Sequence, residues 1–229
     1  MTLFTVDIDW APEPVIEDTL ALFETHGVHA TLFATHKSPV VAGCNRDLFE
    51  VAIHPNFNRL LAGECGDPAR IVDDLLELYP DATGARSHSA AQSGPILDLL
   101  HSRGMRYDSN IWLPYWRDLR PIRLWNGMLR IPFNWTDDVH VAYARSFADV
   151  GLDPGASLNV VDFHPIHVFI NTESADRYAS ARPHYHDAAR LRQLRNDTGP
   201  GARTALIAML EEQRTQTLTM ATFAAAQPA

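Results

Sequence analysis

Hydrophobic positions along the chain follow two alternating periods, one near two residues and one near 3.6. Residues 3–8 form a short apolar run ending in acidic residues, which predicts a strand. Over residues 14–26, Ile16, Leu20 and Phe23 share a face and Gly27 supplies a C-cap, which predicts a helix. Further strands are predicted at residues 30–34, at 49–53 running into His54, around 84–86 and from 105 onwards. A later one at 158–163 runs into His164. Helices are predicted from Pro68, with Asp67 as N-cap and Ile71, Leu75 and Leu78 along it, and over residues 95–103 and 204–214. Residues 111–141 break the rhythm, with Trp112, Trp116, Trp125 and Trp135 among prolines and arginines. That stretch reads as an aromatic-rich excursion containing a strand at 129–133. Residues 172–200 read as polar loop with a helix inside, and the tail is Ala-rich.

Strands alternating with helices are the mark of a parallel α/β sheet or barrel. With no internal repeat or linker in view, one domain over residues 1–229 is expected. Composition narrows the partners. The 229 residues are 46% hydrophobic and 21% charged, enough to bury a core without disulfides. The net charge of −9 argues against nucleic acid and against anionic lipid surfaces. No apolar run approaches the ~18–20 residues of a membrane span, so no membrane insertion is expected. The start lacks the pattern of a secretory signal, and a cytoplasmic location is the expectation. Two cysteines stand against eleven histidines, so any bound metal is expected on histidine and carboxylate.

In α/β barrels and open sheets, functional groups gather at the carboxyl ends of strands. Four predicted strand ends carry candidates here: Asp7 with Asp9, His54, Arg86 with His88, and His164 with His167. One histidine at a strand end is usually just hydrogen-bonded core or surface. Four such ends on one face of a barrel are far harder to explain that way. On a strand, residues i and i+2 face the same side, so Asp7 and Asp9 can address one site.

These residues also carry a family resemblance. Phe4-Thr5-Val6-Asp7-Ile8-Asp9 resembles the first motif of the polysaccharide deacetylases, the NodB-homology or fourth carbohydrate esterase family. Ala30-Thr31-Leu32-Phe33 is similar to the family's second strand, and His54-Pro55-Asn56-Phe57-Asn58 lies where two histidines four apart are usual. Gly84-Ala85-Arg86-Ser87-His88-Ser89 falls where the family has an arginine motif, Tyr107-Asp108 through Trp112 where an Asp/Trp motif is expected, and Val160 through Pro165 is similar to the last, histidine-bearing motif. Order and spacing agree over roughly residues 3–170. The variant most resembles a branch found with bacterial O-antigen biosynthesis. Two departures stand out. The acids are separated by Ile8, and Asn58 replaces the second histidine, an amide oxygen being a weak ligand beside imidazole.

The resemblance implies a distorted (β/α)7-type barrel, the NodB-homology fold, and a metal-dependent hydrolase that removes an N-acetyl or other acyl group from a sugar. Asp9, His54 and His88 are the implied ligands of a divalent metal, most simply zinc, with Asn58 as the alternative third ligand to His88. Asp7 is the implied base, held ionised by Arg86, which Asp108 would orient. His164 is the implied general acid, and Trp112 a platform for the carbohydrate substrate. Two alternatives stay open: a catalytically inactive relative that binds carbohydrate or metal, and an amide hydrolase for a small non-polymeric substrate. Asp7 as a mere helix cap and His88 as a substrate contact also stay open. His167 is expected in a surface or loop role, and His184 and His186 are expected to be solvated. His26, His29, His36, His101 and His140 show no convergent partners.

Overall fold

In a computed structural model, the structure describes residues 1–213 and 217–228. The strands are β1 (Thr2–Asp7), β2 (Ala30–Ala34), β3 (Phe49–Ile53), β4 (Gly84–Ala85), β5 (Tyr107–Asp108), β6 (Ile122–Arg123), β7 (Leu129–Arg130), β8 (Trp135–Thr136) and β9 (Asn159–Phe163). They form one curled sheet in the order β6-β7-β5-β4-β3-β2-β1-β9-β8, parallel except for the β6–β7 pair. Helices flank it. The two ends of this order belong to one stretch of chain. Residues 129–136 pair with β5 at their start, meet Ile111 and Trp112 through Phe133, and pair with β9 at their end. That run joins the sheet edges, so β1 to β5, residues 129–136 and β9 are the seven staves of the expected distorted barrel.

Strand alternation sorts the side chains. On β1 the even positions Phe4 and Val6, with Ile8 just beyond, pack outward under the helices, while Leu3, Thr5 and Asp7 point inward. The same parity puts Phe33 inside on β2, Glu50, Ala52 and then His54 inside on β3, and Val160, Asp162 and then His164 inside on β9. The interior is therefore apolar through its middle and polar at the carboxyl end. Gly84 is needed for this packing, because a Cβ there would lie 1.9 Å from the Tyr107 ring.

The helix Glu13–His26 ends on Gly27 at φ 63°, a left-handed cap that glycine adopts freely. Asp67 caps Pro68–Leu78 by accepting from the Ala69 N–H. The predicted helix at 95–103 is Gly94–Ser102, and the one at 204–214 is Ala202–Glu212, with Arg214 outside the described residues. The polar stretch 172–200 contains two α-helices, Ala175–Ala181 and Ala188–Gln193, rather than one, and the Ala-rich tail folds as Met220–Ala225. Asp137–Ala142 and Pro165–Ile170 are helices that the hydrophobic pattern does not predict. Every residue of Pro165–Ile170 is buried, so its sequence lacks the one-sided period of a surface helix. Among the described residues, no helix is long and apolar enough to cross a membrane.

Candidate active site

Four strand ends meet at the carboxyl end of the barrel. Asp7 ends β1 and Asp9 lies just beyond it, His54 follows β3, His88 lies in the turn after β4, and His164 follows β9. Asp9 Oδ1 lies 3.3 Å from His54 Nε2 and 3.0 Å from His88 Nδ1, and those two nitrogens are 3.3 Å apart. The second nitrogen of His54, Nδ1, is buried without a hydrogen-bond partner, so the ring's polar contacts all lie in this cluster. Burial works to raise the Asp9 pKa, but hydrogen bonds from His54 and His88 and the nearby His164 charge hold it well below the carboxylate range. The hydrogen bond to Asp9 in turn raises the His88 pKa against its partial burial.

One carboxylate and two imidazoles, with ligand atoms within 4.8 Å of one another, suit a divalent metal such as zinc. Two other groupings share that closeness, Asp7–Asp162–His164 and Asp137–Asp138–His164. Their donors are already engaged. Arg86 Nη1 donates to Asp7 Oδ1 at 2.9 Å and to Asp162 Oδ1 at 2.6 Å, while His164 Nδ1 lies 2.7 Å from Asp137 Oδ1. The Asp9–His54–His88 set fits a metal best.

Arg86 is fully inside the barrel. Its guanidinium sits between the Phe33 and Phe133 rings, 4.4 Å from each centroid, and also donates to Thr5 Oγ1, Ser109 O and Ser109 Oγ. Asp108 does not orient it, contrary to expectation. Ala85 and Asp108 are register partners on parallel strands and face outward together, whereas Arg86 is one residue on and faces inward. Asp108 pairs instead with Arg130 at 2.6 Å, and Asp162 takes the expected place beside Arg86. Burial and the neighbouring Asp7 charge push the Asp162 pKa up, and Arg86 opposes that rise.

His164 is held at both ends of its backbone–side-chain unit. Asp137 Oδ2 accepts from its N–H, and Asp137 Oδ1 faces its ring Nδ1. Burial would lower its pKa, but Asp137, Asp138 and Asp162 raise it well above the histidine range. Its Nε2 points back toward Asp9 Oδ2 at 3.6 Å.

Asn58 lies at the rim, where its side-chain N–H donates to Ser89 Oγ in the turn carrying His88. Trp112 lines the same pocket of about 240 Å³ as Asp7, His54 and His164, with its ring 5.2 Å from Phe133. His167 is buried rather than superficial, against Thr172 Oγ1 and the Tyr178 ring. His184 and His186 line a second, wider cleft beside the site. Sequence reasoning assigned no role to Asp137, Asp138, Asp162, Tyr185 or Trp10. For Asp162 a signal existed, since it lies two residues before His164 on one strand. Asp9 (φ 36°) and Trp10 (φ 56°) adopt left-handed backbone, as do Ser89 and Ala90, at about 1–3 kcal/mol each. Such strain is commonly kept where geometry serves a site.

The chain is similar to several known proteins. A sequence profile described as WbmS-like polysaccharide deacetylase matches residues 4–182. The chain is 42% identical to a Bordetella bronchiseptica protein (WbmS) assigned as a polysaccharide deacetylase involved in O-antigen biosynthesis, with a TM-score of 0.86 over 92% of this chain and 89% of that one. More distant structures share the fold. One is the Bc1960 peptidoglycan N-acetylglucosamine deacetylase, at 13% identity and TM-score 0.53 over 96% of this chain and 86% of that one. Another is a family 4 carbohydrate esterase pseudoenzyme from Bacillus anthracis, at 13% identity and TM-score 0.53 over 98% and 65%. No curated protein gives a match.

Proposed function

The chain belongs to the WbmS-like polysaccharide deacetylase family, and from that premise we propose that it is a metal-dependent amide hydrolase removing an acyl group from an amino sugar. The substrate class is a bacterial surface polysaccharide or its precursor, as the description of the Bordetella relative suggests. The observation that carries the reading is the Asp9–His54–His88 cluster flanked by Asp7 on one side and His164 on another. Asp9, His54 and His88 would hold the metal. Bound there, a divalent metal supplies Lewis acidity, which eases deprotonation of water and polarises the acyl carbonyl.

The protein's own groups then divide the proton work. Asp7, fixed by Arg86, accepts a proton from the attacking water as its oxygen adds to the acyl carbon. The carbon–nitrogen bond breaks, and His164 gives its proton to the departing sugar nitrogen. Asp137 keeps the imidazolium oriented and protonated for that step. The balance is one amide and one water consumed, one amine and one carboxylic acid released.

A second reading has one observation behind it: Asn58 stands where the family usually has a histidine, and the fold also occurs in a pseudoenzyme. Metal analysis joined to an assay for acetate release from N-acetylated hexosamines separates the two. Less than about a tenth of an equivalent of divalent metal after zinc loading overturns the catalytic reading, because the site holds one ion. Within that assay, His88→Ala is expected to weaken zinc binding by at least ~10-fold while Asn58→Ala leaves it nearly unchanged. The reverse result makes Asn58 the ligand.

A further inference from the structure

The groups assigned to chemistry account for the smaller pocket. Beside it lies a cleft of about 1070 Å³ that the proposed reaction leaves unused. Small-ligand pockets generally span about 300–1,000 Å³, so the 240 Å³ space around the cluster is small for a whole glycan unit with its neighbours. The two spaces share Asp9, His88, Asp138 and His164 and are continuous around the candidate metal ligands. The segment carrying Tyr178, Arg182, His184 and Tyr185 lines the cleft.

Trp10 lines it as well. This large indole is 39% exposed and its backbone is left-handed, an unusual conformation for a bulky residue. Three contacts hold the turn in place. The Trp10 N–H donates to Thr35 Oγ1 at 3.2 Å, the Tyr185 hydroxyl donates to Asp9 O at 2.8 Å, and the Ala11 N–H closes onto Ile8 O at 2.8 Å. Core packing does not explain a strained, exposed indole at the rim. Among the described residues, one ring contacts it, that of His88, nearly perpendicular at 5.2 Å. Trp112, by contrast, packs against Phe133 at a 33° tilt. An open, rigid aromatic surface beside polar side chains suits a sugar ring, whose apolar C–H face stacks while its hydroxyls bond outward.

Resting on the deacetylase reading, we propose that the wide cleft is a second carbohydrate subsite, which takes the sugar residue bonded to the deacylated one and stacks it on Trp10. The substrate is then an acylated sugar within an oligosaccharide or longer glycan, not a free monosaccharide. Arg182 and His184 also line the cleft and offer donors for the ring's hydroxyls.

The test is binding of N-acetylglucosamine and of triacetylchitotriose to the zinc-loaded protein by calorimetry, with zinc affinity measured in parallel. The trisaccharide is expected to bind about 3- to 10-fold tighter than the monosaccharide, the range of one good aromatic contact. Trp10→Ala should erase that gap while leaving monosaccharide and zinc binding within about 2-fold, and Trp10→Phe should keep part of the gap. If Trp10→Ala does not fold, the change in tryptophan emission that the trisaccharide induces beyond that of the monosaccharide decides: it should be present in the wild type and absent in Trp10→Phe. An equal affinity for both sugars, or a gap that survives Trp10→Ala, overturns the subsite. A joint loss of zinc and monosaccharide binding also overturns it, and makes Trp10 a positioning residue for His88. If neither sugar releases acetate yet the Trp10-dependent gap is present, the subsite stands and the catalytic reading fails.

Discussion

Each end of the barrel holds a partly buried carboxylate, and the two are engaged in different ways. At the amino end, Glu50 is partly buried and satisfied by its neighbours. It accepts from the Tyr107 hydroxyl at 2.7 Å, from Thr31 Oγ1 at 2.9 Å and from the Ala221 N–H at 2.8 Å, under the C-terminal helix Met220–Ala225. Burial raises its pKa, and those hydrogen bonds oppose the rise only in part. At the carboxyl end, Asp9 faces two imidazoles that are themselves 3.3 Å apart, and it lines open space. A buried acid is thus no sign of function by itself. The sign is one carboxylate meeting two imidazoles whose ligand atoms all lie within 4.8 Å of one another, a donor set that a divalent metal can take.

The sharpest way to break this contrast is inside the carboxyl-end cluster. Asp7→Asn preserves shape and leaves Arg86 paired with Asp162, so the fold should persist. Turnover is expected to fall by ~10²–10⁴-fold, the usual worth of a positioned base, with zinc affinity within a few-fold of wild type. Loss of zinc along with turnover in a metal titration makes Asp7 a ligand and redraws the division of labour. A smaller effect is expected one contact further out, at Asp137. The folded-state pKa of His164 is raised, so the stabilisation its proton brings is complete below the ordinary histidine value of 6.5. It is lost as pH rises through the raised value. Asp137→Asn removes the main support for that proton. The alkaline limb of the pH–rate profile should move to lower pH, with little change in the acidic limb. An unmoved alkaline limb removes His164 from the role of acid.

Most of the barrel was readable from alternation alone. Leu3, Thr5 and Asp7 share a face by parity, and the strands ending at His54 and His164 stand out as apolar runs stopped by imidazole. The same parity, applied across β4 and β5, separates Arg86 from Asp108, since neighbours in register face the same way and Arg86 is one residue out of step. It also links Asp162 to His164. Other parts left no trace in the pattern. Asp137 follows a strand of only two residues, Trp135–Thr136, hidden in an aromatic-rich stretch. Pro165–Ile170 is buried on all sides and so has no period to read. Trp10 owes its place to a left-handed turn that residue type does not encode. Local periodicity shows which face a side chain takes; the closing of the ring by residues 129–136 is a long-range event.

Glu50→Gln brings the comparison down to its smallest expected effect. The amide can still accept from Thr31 and Ala221, while its N–H₂ group donates to a Tyr107 hydroxyl turned to accept. The cost should be about 1 kcal/mol, the scale of one rearranged hydrogen bond. The pH dependence is the more telling readout. Because the folded state holds the Glu50 proton above the ordinary value of 4.5, wild-type stability should decline as pH rises through the window above it. Glu50→Gln has no proton to lose there, so its deficit in melting temperature should shrink as pH rises. Zinc affinity and turnover per folded molecule should match the wild type, since no group of the cluster touches this end. A change in either would mean that the two ends of the barrel are coupled, and that the carboxylate at the amino end helps to set the geometry of the one at the carboxyl end.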